Sequence, residues 1–186
     1  MIIGIDGKAA VLALMLAALS PFATAQRFLK LPPVEIFGGY SYLRFESTTL
    51  GFSNQSNMNG GIVGISIPIY AGLGIAGDIS AHFSRDLEAY NFMAGPQYRV
   101  EWKGLRLTAH GLFGKGRSRL SNPGTTFVEP STLGRAWAVG GELDVPLSQK
   151  IWLRPVQADY LSNSAFGSTL HNVRISTGLV FILGKH

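Results

Sequence analysis

The sequence predicts an all-β fold: an eight-stranded, antiparallel, up-and-down transmembrane β-barrel. Three observations carry this expectation. Residues Asn172 to Leu183 alternate with a period of two, over a length too great for an ordinary half-buried strand of about five or six residues. That length suits a tilted strand crossing a bilayer, which needs about nine to eleven. Charged residues make up 15% of the chain and hydrophobic ones 46%, whereas a soluble domain carries about 25% charged. The connections between alternating segments are tight at every second position and polar at the others, the asymmetry of barrels with short turns on one side and longer loops on the other. Lipid cannot satisfy an open sheet edge, so such strands must close on themselves.

The N-terminus predicts export. Lys8 precedes the apolar run Ala9 to Leu19, Ser20-Pro21 breaks it, and Ala23-Thr24-Ala25 offers a cleavage site before Gln26. Residues 1–25 therefore read as a signal peptide, too short in its apolar run to span a bilayer, and 26–186 as the barrel domain. The chain contains no cysteine, so no disulfide framework is expected even in an oxidising compartment. The net charge of +5 is scattered, with Arg117 and Arg119 the densest pair. It reads as solvated loop charge, and nucleic acid is not an expected partner of an exported chain.

The first strand spans Val34 to about Arg44. Val34, Ile36, Gly38, Tyr40 and Tyr42 share one face, and Glu35, Gly39 and Ser41 share the other, with Phe37 as an exception. The two tyrosines suit an interfacial aromatic girdle. Segment 46–57 is polar and reads as a loop. The second strand, about Asn59 to Ile69, turns Val63, Ile65, Ile67 and Ile69 out, with Pro68 at its end where a missing donor costs little. After a tight turn at Tyr70-Ala71-Gly72, the third strand sets Leu73, Ile75, Gly77, Ile79, Ala81 and Phe83 against Asp78, Ser80 and His82.

A short polar loop, Ser84 to Glu88, leads to the fourth strand, where Tyr90, Phe92, Ala94, Pro96 and Tyr98 oppose Asn91, Met93, Gln97 and Arg99. Glu101 to Gly104 turns the chain. The fifth strand faces Leu105, Leu107, Ala109, Gly111 and Phe113 outward and Arg106, Thr108, His110 and Gly114 inward. Segment 115–132 reads as the longest loop. The sixth strand opposes Trp137, Val139, Gly141, Leu143 and Val145 to Ala136, Ala138, Gly140, Glu142 and Asp144.

Pro146 to Lys150 makes the next turn. The seventh strand, Ile151 to Leu161, breaks parity, because Arg154, Gln157 and Asp159 should all face inward. A bulge at Pro155 restores it. Asn163 to Leu170 reads as a loop before the last strand, whose face of Val173, Ile175, Thr177, Leu179, Phe181 and Leu183 sets the lipid side, although Val180 and Ile182 blur the pattern.

Several stretches resemble motifs of the OmpA-type outer-membrane β-barrel domain family. They are Glu35-Ile36-Phe37-Gly38-Gly39-Tyr40-Ser41-Tyr42, Gly140-Gly141-Glu142-Leu143-Asp144-Val145, Gln157-Ala158-Asp159-Tyr160 and Asn172 to Phe181. The resemblance covers essentially the whole chain after the leader and implies a bacterial outer-membrane location with both termini periplasmic. Ser176, Gly178, Phe181 and Leu183 are similar to the last-strand signal of this family, which implies the barrel-assembly machinery as a partner during biogenesis. The chain closes on Gly184-Lys185-His186 rather than on an aromatic residue. No peptidoglycan-binding domain is expected beyond the barrel.

Inside an eight-stranded barrel the space is just filled by side chains. The inward set is Glu35, Asp78, Glu142, Asp144 and Asp159 against Arg99, Arg106, Arg154 and Arg174, with His82 and His110. Buried charges must be paired, so the expectation is a crosslinked polar core that leaves the lumen largely plugged. In a functional variant, one Arg–carboxylate pair swings to gate a weak pore. No catalytic, metal or cofactor site is expected. Asp78, Ser80 and His82 lie on one strand, roughly 7 Å between successive members at about 3.3 Å per residue, too far apart for a triad.

Segments 46–57 and 115–132 are the candidate surface for an extracellular ligand. The combined expectation is a monomeric, non-enzymatic envelope-structural or surface-contact protein seated in outer-membrane lipid. The alternative is a soluble exported lipocalin-like barrel binding a small apolar ligand, which would place its apolar residues inside.

Overall fold

A computed structural model of the chain describes residues 33–45, 56–85, 87–120, 131–165 and 168–184. The leader expected over 1–25 lies outside the described residues. The strands are β1 (Val34–Phe45), β2 (Ser56–Tyr70), β3 (Leu73–Phe83), β4 (Leu87–Trp102), β5 (Leu105–Leu120), β6 (Ser131–Pro146), β7 (Ile151–Ala165) and β8 (Ser168–Leu183). Each pairs antiparallel with the next, and β1 pairs with β8 to close the barrel.

The chain enters and leaves at one end, where Val34 pairs with Leu183. The tight connections lie at this turn end. Ala71 (φ 48°) with Gly72 (φ 85°), and Lys103 (φ 50°) with Gly104 (φ 80°), each place two successive residues at positive φ. This is the type I′ geometry whose twist matches that of paired strands. Between β6 and β7 the Leu147 and Ser148 amides both donate to the Ile151 carbonyl, at 3.0 and 2.9 Å.

The strands run further toward the opposite, loop end than their sequence suggests. Lys115 to Leu120 and Ser131 to Thr132 belong to β5 and β6, not to a loop. They pair in register, from Lys115 opposite Arg135 to Arg119 opposite Ser131. Their polarity was the misleading signal: beyond the apolar belt a strand continues on its backbone ladder while its outward residues become charged. Likewise Asn163, Ser164 and Ala165 pair with Leu170, Thr169 and Ser168, so strand replaces most of the loop expected at 163–170. Ser56 and Asn57 begin β2, and Leu87 and Glu88 begin β4. The remainder of the first candidate loop, 46–55, and the middle of the second, 121–130, lie outside the described residues.

Parity along the strands sorts the side chains by chemistry. Ile69, Leu73, Ile75, Phe92, Leu107, Phe113, Val139, Val173 and Ile175 are among the large apolar residues exposed on the outer wall. Aromatic groups mark both margins. Tyr70, Tyr98 and Trp102 are exposed at the turn end. Toward the loop end, Trp137, Tyr160 and His171 form a row with ring centroids 5.6 and 5.9 Å apart, and Phe83 meets Tyr90 edge-on. The charged residues named from the sequence lie buried or nearly so on the inner face.

The parity break in β7 is a bulge. Arg154 and Gln157 both turn inward, Pro155 and Val156 are exposed between them, and the β7–β8 register shifts across the same interval. Proline has no amide hydrogen to contribute to the ladder, which suits it to this position.

The interior is not uniformly polar. Phe37 resolves its ambiguity by facing inward, where it packs with Ile62, Val180 and the partly buried Trp152. Met93, Leu112, Ala136, Ala138 and Leu161 form a second apolar cluster. A third, of Leu43, Phe45, Met58, Leu87, Ala89 and Leu170, occupies the loop end. These residues add apolar layers beside the expected crosslinked polar core. A narrow barrel has too little room for solvated charge along its full length, so apolar side chains fill the remaining inner wall.

Candidate functional site in the barrel lumen

The polar residues of the lumen converge on two guanidinium centres. Arg174 of β8 is completely buried. Its Nη1 donates to Asp78 Oδ1 and Ser80 Oγ, both at 3.2 Å, and its Nη2 donates to Asp78 Oδ2. Its Nε donates to Asp159 Oδ2 at 2.7 Å. A guanidinium in low dielectric demands this degree of satisfaction, because the cost of desolvation is recovered only when its donors are used.

Arg154, presented by the β7 bulge, is the second centre. It binds Asp144 side-on, Nε to Oδ1 at 2.7 Å and Nη2 to Oδ2 at 3.0 Å, while Nη1 reaches Glu142 Oε2 at 2.6 Å and Gln157 Oε1 at 3.1 Å. The guanidinium carbon sits 4.4 Å from the centroid of the Phe37 ring, a cation–π arrangement strengthened by desolvation. The apolar Phe37 thus serves the charge network as well as the packing.

Two groups join these centres. Gln157 Nε2 donates to Asp159 Oδ2 at 3.1 Å. His110 Nε2 lies 2.7 Å from Asp159 Oδ1, and its Nδ1 is 3.8 Å from Glu142 Oε2. Toward the turn end, Glu35 accepts a bidentate pair from Arg99 and a further bond from Arg106 Nη1 at 3.1 Å. Arg106 also meets Glu101 at the rim at 3.1 Å and lies 3.6 Å from the Trp152 ring centroid. A cavity of about 30 Å³ remains among Ser66, Asp78, Gln97, His110, Glu142 and Gln157, room for about one water molecule.

All of the expected lumen residues face inward, but His82 stands apart from the ionic network. Its Nε2 lies 2.8 Å from Ser41 Oγ, which in turn lies 2.8 Å from Ser176 Oγ. Its Nδ1 has no hydrogen-bond partner among the described residues. A serine pair rather than a carboxylate adjoins His82, because Asp78 is committed to Arg174. The Ser–His contact lacks a carboxylate behind the imidazole, and His82, Ser41 and Ser176 are inaccessible to solvent. Among the described residues no group of three or more His, Asp or Glu side chains is placed to hold a metal ion.

Outside the charged set named from the sequence, Ser80 and Gln157 join the network through Arg174 and Arg154, Ser41 bonds His82 and Gln97 bonds Ser66, and Phe37 and Trp152 are aromatic supports that the sequence does not reveal. Parity places Ser41, Ser80, Gln97 and Gln157 on the inner face but does not show what they bond. The aromatic pair needed the bulge geometry and the barrel's cross-section.

No family model matches the chain, and no curated protein matches it in sequence. Solved structures do. Neisserial surface protein A superimposes with a TM-score of 0.67 at 10% identity, covering 80% of this chain and 96% of that one. The fold is that of the eight-stranded outer-membrane barrels. Ail, the attachment invasion locus protein of Yersinia pestis, matches with a TM-score of 0.55 at 18% identity, covering 81% and 99%. The N-terminal β-barrel domain of Pseudomonas aeruginosa OprF matches at 0.51 and 11%, covering 82% and 98%.

The OmpA-type barrel fold expected from the motifs is thus the one observed. Within it the motif residues have physical roles. Glu35 to Tyr42 runs along the closing seam with β8. In the same seam Gly39 lies opposite Gly178, and a Cβ on either would overlap the backbone of the other strand. Of the last-strand residues, Ser176 points inward to Ser41, and Phe181 points outward.

Proposed function

We propose that this protein is a non-enzymatic integral outer-membrane barrel with an envelope-structural or surface-contact role and a lumen closed by its own side chains. The observation that carries this reading is the inverted polarity of the barrel. Arg174, Arg154, Asp144 and Asp159 are buried inside, while Phe113, Val139, Ile75 and Leu107 are exposed outside. A continuous apolar exterior of this kind is stable against lipid and a liability in water. A lipocalin-like soluble barrel requires the reverse.

The apolar cluster at the loop end and the two guanidinium centres below it support a closed lumen over a gated pore. Each Arg–carboxylate group would have to lose several bonds at once before a passage opened. The longer connections at the loop end support surface contact as the outward role, with both termini on the periplasmic side. Ail, which shares the fold, was solved in complex with the heparin analogue sucrose octasulfate, and contact with an external ligand through the loop end is the corresponding reading here.

Membrane fractionation with unboiled and boiled gel samples tests the location. A membrane-bound species whose mobility shifts on boiling is expected; a detergent-free soluble monomer without a shift would overturn the reading. Planar-bilayer recording tests the lumen, and silence is expected. Reproducible openings abolished by Arg174→Ala or Glu142→Ala would favour the gate instead.

A further inference from the structure

The fixed charges inside the barrel do not balance. Among the described residues five carboxylates face the lumen, Glu35, Asp78, Glu142, Asp144 and Asp159, against four guanidinium groups, Arg99, Arg106, Arg154 and Arg174. Glu101, which meets Arg106 at the rim, is exposed and adds a further negative charge. The deficit is concentrated in mid-barrel. Glu35 of β1 takes both Arg99 of β4 and Arg106 of β5. Arg154 of β7 and Arg174 of β8 are left to serve four carboxylates on β3, β6 and β7. β2 contains no charged residue at all. A buried carboxylate without a counter-charge is very costly, so the network calls for a fifth positive charge.

His110 is placed to supply it. Its Nε2 lies 2.7 Å from Asp159 Oδ1, and its Nδ1 faces Glu142 Oε2 at 3.8 Å. A neutral ring would turn a lone pair toward one of these two carboxylates, whereas a charged ring donates from both nitrogens. Glu142 also has a donor to spare room for. Among the described residues every oxygen of the five carboxylates accepts a hydrogen bond except Glu142 Oε1. Gln97 is buried, and its Oε1 likewise has no donor. Glu142, Gln97 and His110 all line the cavity of about 30 Å³. At 3.8 Å the Nδ1 proton cannot reach Glu142 directly. One water in that cavity can accept from Nδ1–H and donate to both oxygens.

We propose that His110 is the fifth cation of the lumen: an imidazolium held at neutral pH between Asp159 and Glu142, its second N–H bonded through a cavity water. The closed barrel then stores one proton that the unfolded chain does not keep. The inference rests on the closed-lumen reading above. A free histidine is mostly uncharged above about pH 6.5. From there upward the folded barrel binds about one proton more than the unfolded chain, so stability is fully present below that pH and is lost as pH rises.

The test uses protein expressed from the full-length sequence, labelled with ¹⁵N-histidine and folded in lipid vesicles. Solid-state NMR near neutral pH should find both ring nitrogens of His110 protonated. The signal is assigned in H82Q/H171Q/H186Q, where His110 is the remaining histidine. A single protonated nitrogen would overturn the proposal. Urea titrations from about pH 6.5 to 9 give a second readout, and the wild-type folding constant should fall by up to about tenfold per pH unit.

Glu142→Gln leaves four carboxylates against four guanidinium groups without the proton. Its His110 should be neutral, its pH dependence flat, and its stability above that of wild type at the alkaline end. His110→Gln should also be flat, and less stable than wild type near neutrality; Glu142→Gln carries the test where His110→Gln does not fold. A wild-type slope that survives in either folded variant would put the proton on another group and overturn the assignment. Openings in bilayer recordings of wild type near neutral pH would sink the closed lumen instead, a distinct result.

Discussion

Arg174 on the last strand grips Asp78 on β3 with both terminal nitrogens, across the lumen rather than along the wall. Its Nε holds Asp159 on the neighbouring β7 at the same time. One side chain therefore ties three strands together from the inside. Arg174→Ala leaves two carboxylates buried without their cation, and a loss of roughly 3–5 kcal/mol is expected. Urea titration of the folded barrel in lipid vesicles measures it. Arg174→Lys should recover only part, since an ammonium cannot reproduce the forked geometry.

Gly140 lies opposite Asp159 in the β6–β7 ladder, and a Cβ there would overlap the Asp159 carboxylate and the Ala158 carbonyl. Gly140→Ala should displace Asp159 from both His110 and Arg174. Overpacking of this kind costs roughly 1–3 kcal/mol. The same urea titration should show a lower midpoint, and a double-mutant cycle with Asp159→Asn should show strong non-additivity.

The seam between β1 and β8 depends on glycine at Gly39 and Gly178, whose backbones leave no space for a side chain. Gly178→Ala should impair barrel closure in purified protein refolded into vesicles, where no assembly factor is present. A slower or smaller heat-modifiable fraction checks this. Normal refolding in vitro with failed insertion in cells would assign the residue to the assembly signal instead.

Phe45 is 1% exposed within the apolar cluster at the loop end. Phe45→Ala should cost roughly 3–5 kcal/mol while leaving bilayer recordings silent, because the guanidinium centres below remain in place. Conductance in this variant would show that the apolar layer is the actual seal.

Most of the fold was legible because strand parity is a one-dimensional property. β3 has the expected bounds, and Arg154, Gln157 and Asp159 located the Pro155 bulge through the parity they violated. The inward placement of the charged lumen residues was legible for the same reason. Partnership was not. That Arg174 meets Asp78 and that His82 meets Ser41 depends on how far the strands are staggered around the barrel, and no local pattern encodes that stagger.

Apolar residues at the loop end were equally opaque. Leu43, Phe45 and Leu170 face inward, yet the same residue types face lipid elsewhere, and only charge distinguishes the two sides in a sequence. The ends of β5 and β6 were misread because Gly, Ser and Arg in alternation resemble a loop until the partner strand is known.

The Arg174–Asp78 contact joins residues 96 positions apart, and such a bond forms only once the cylinder has closed. Interactions absent from the transition state slow unfolding without hastening folding. The ionic centre is thus a latch on escape rather than a guide to assembly, and its removal should shorten the lifetime of the inserted protein while leaving its insertion rate nearly unchanged.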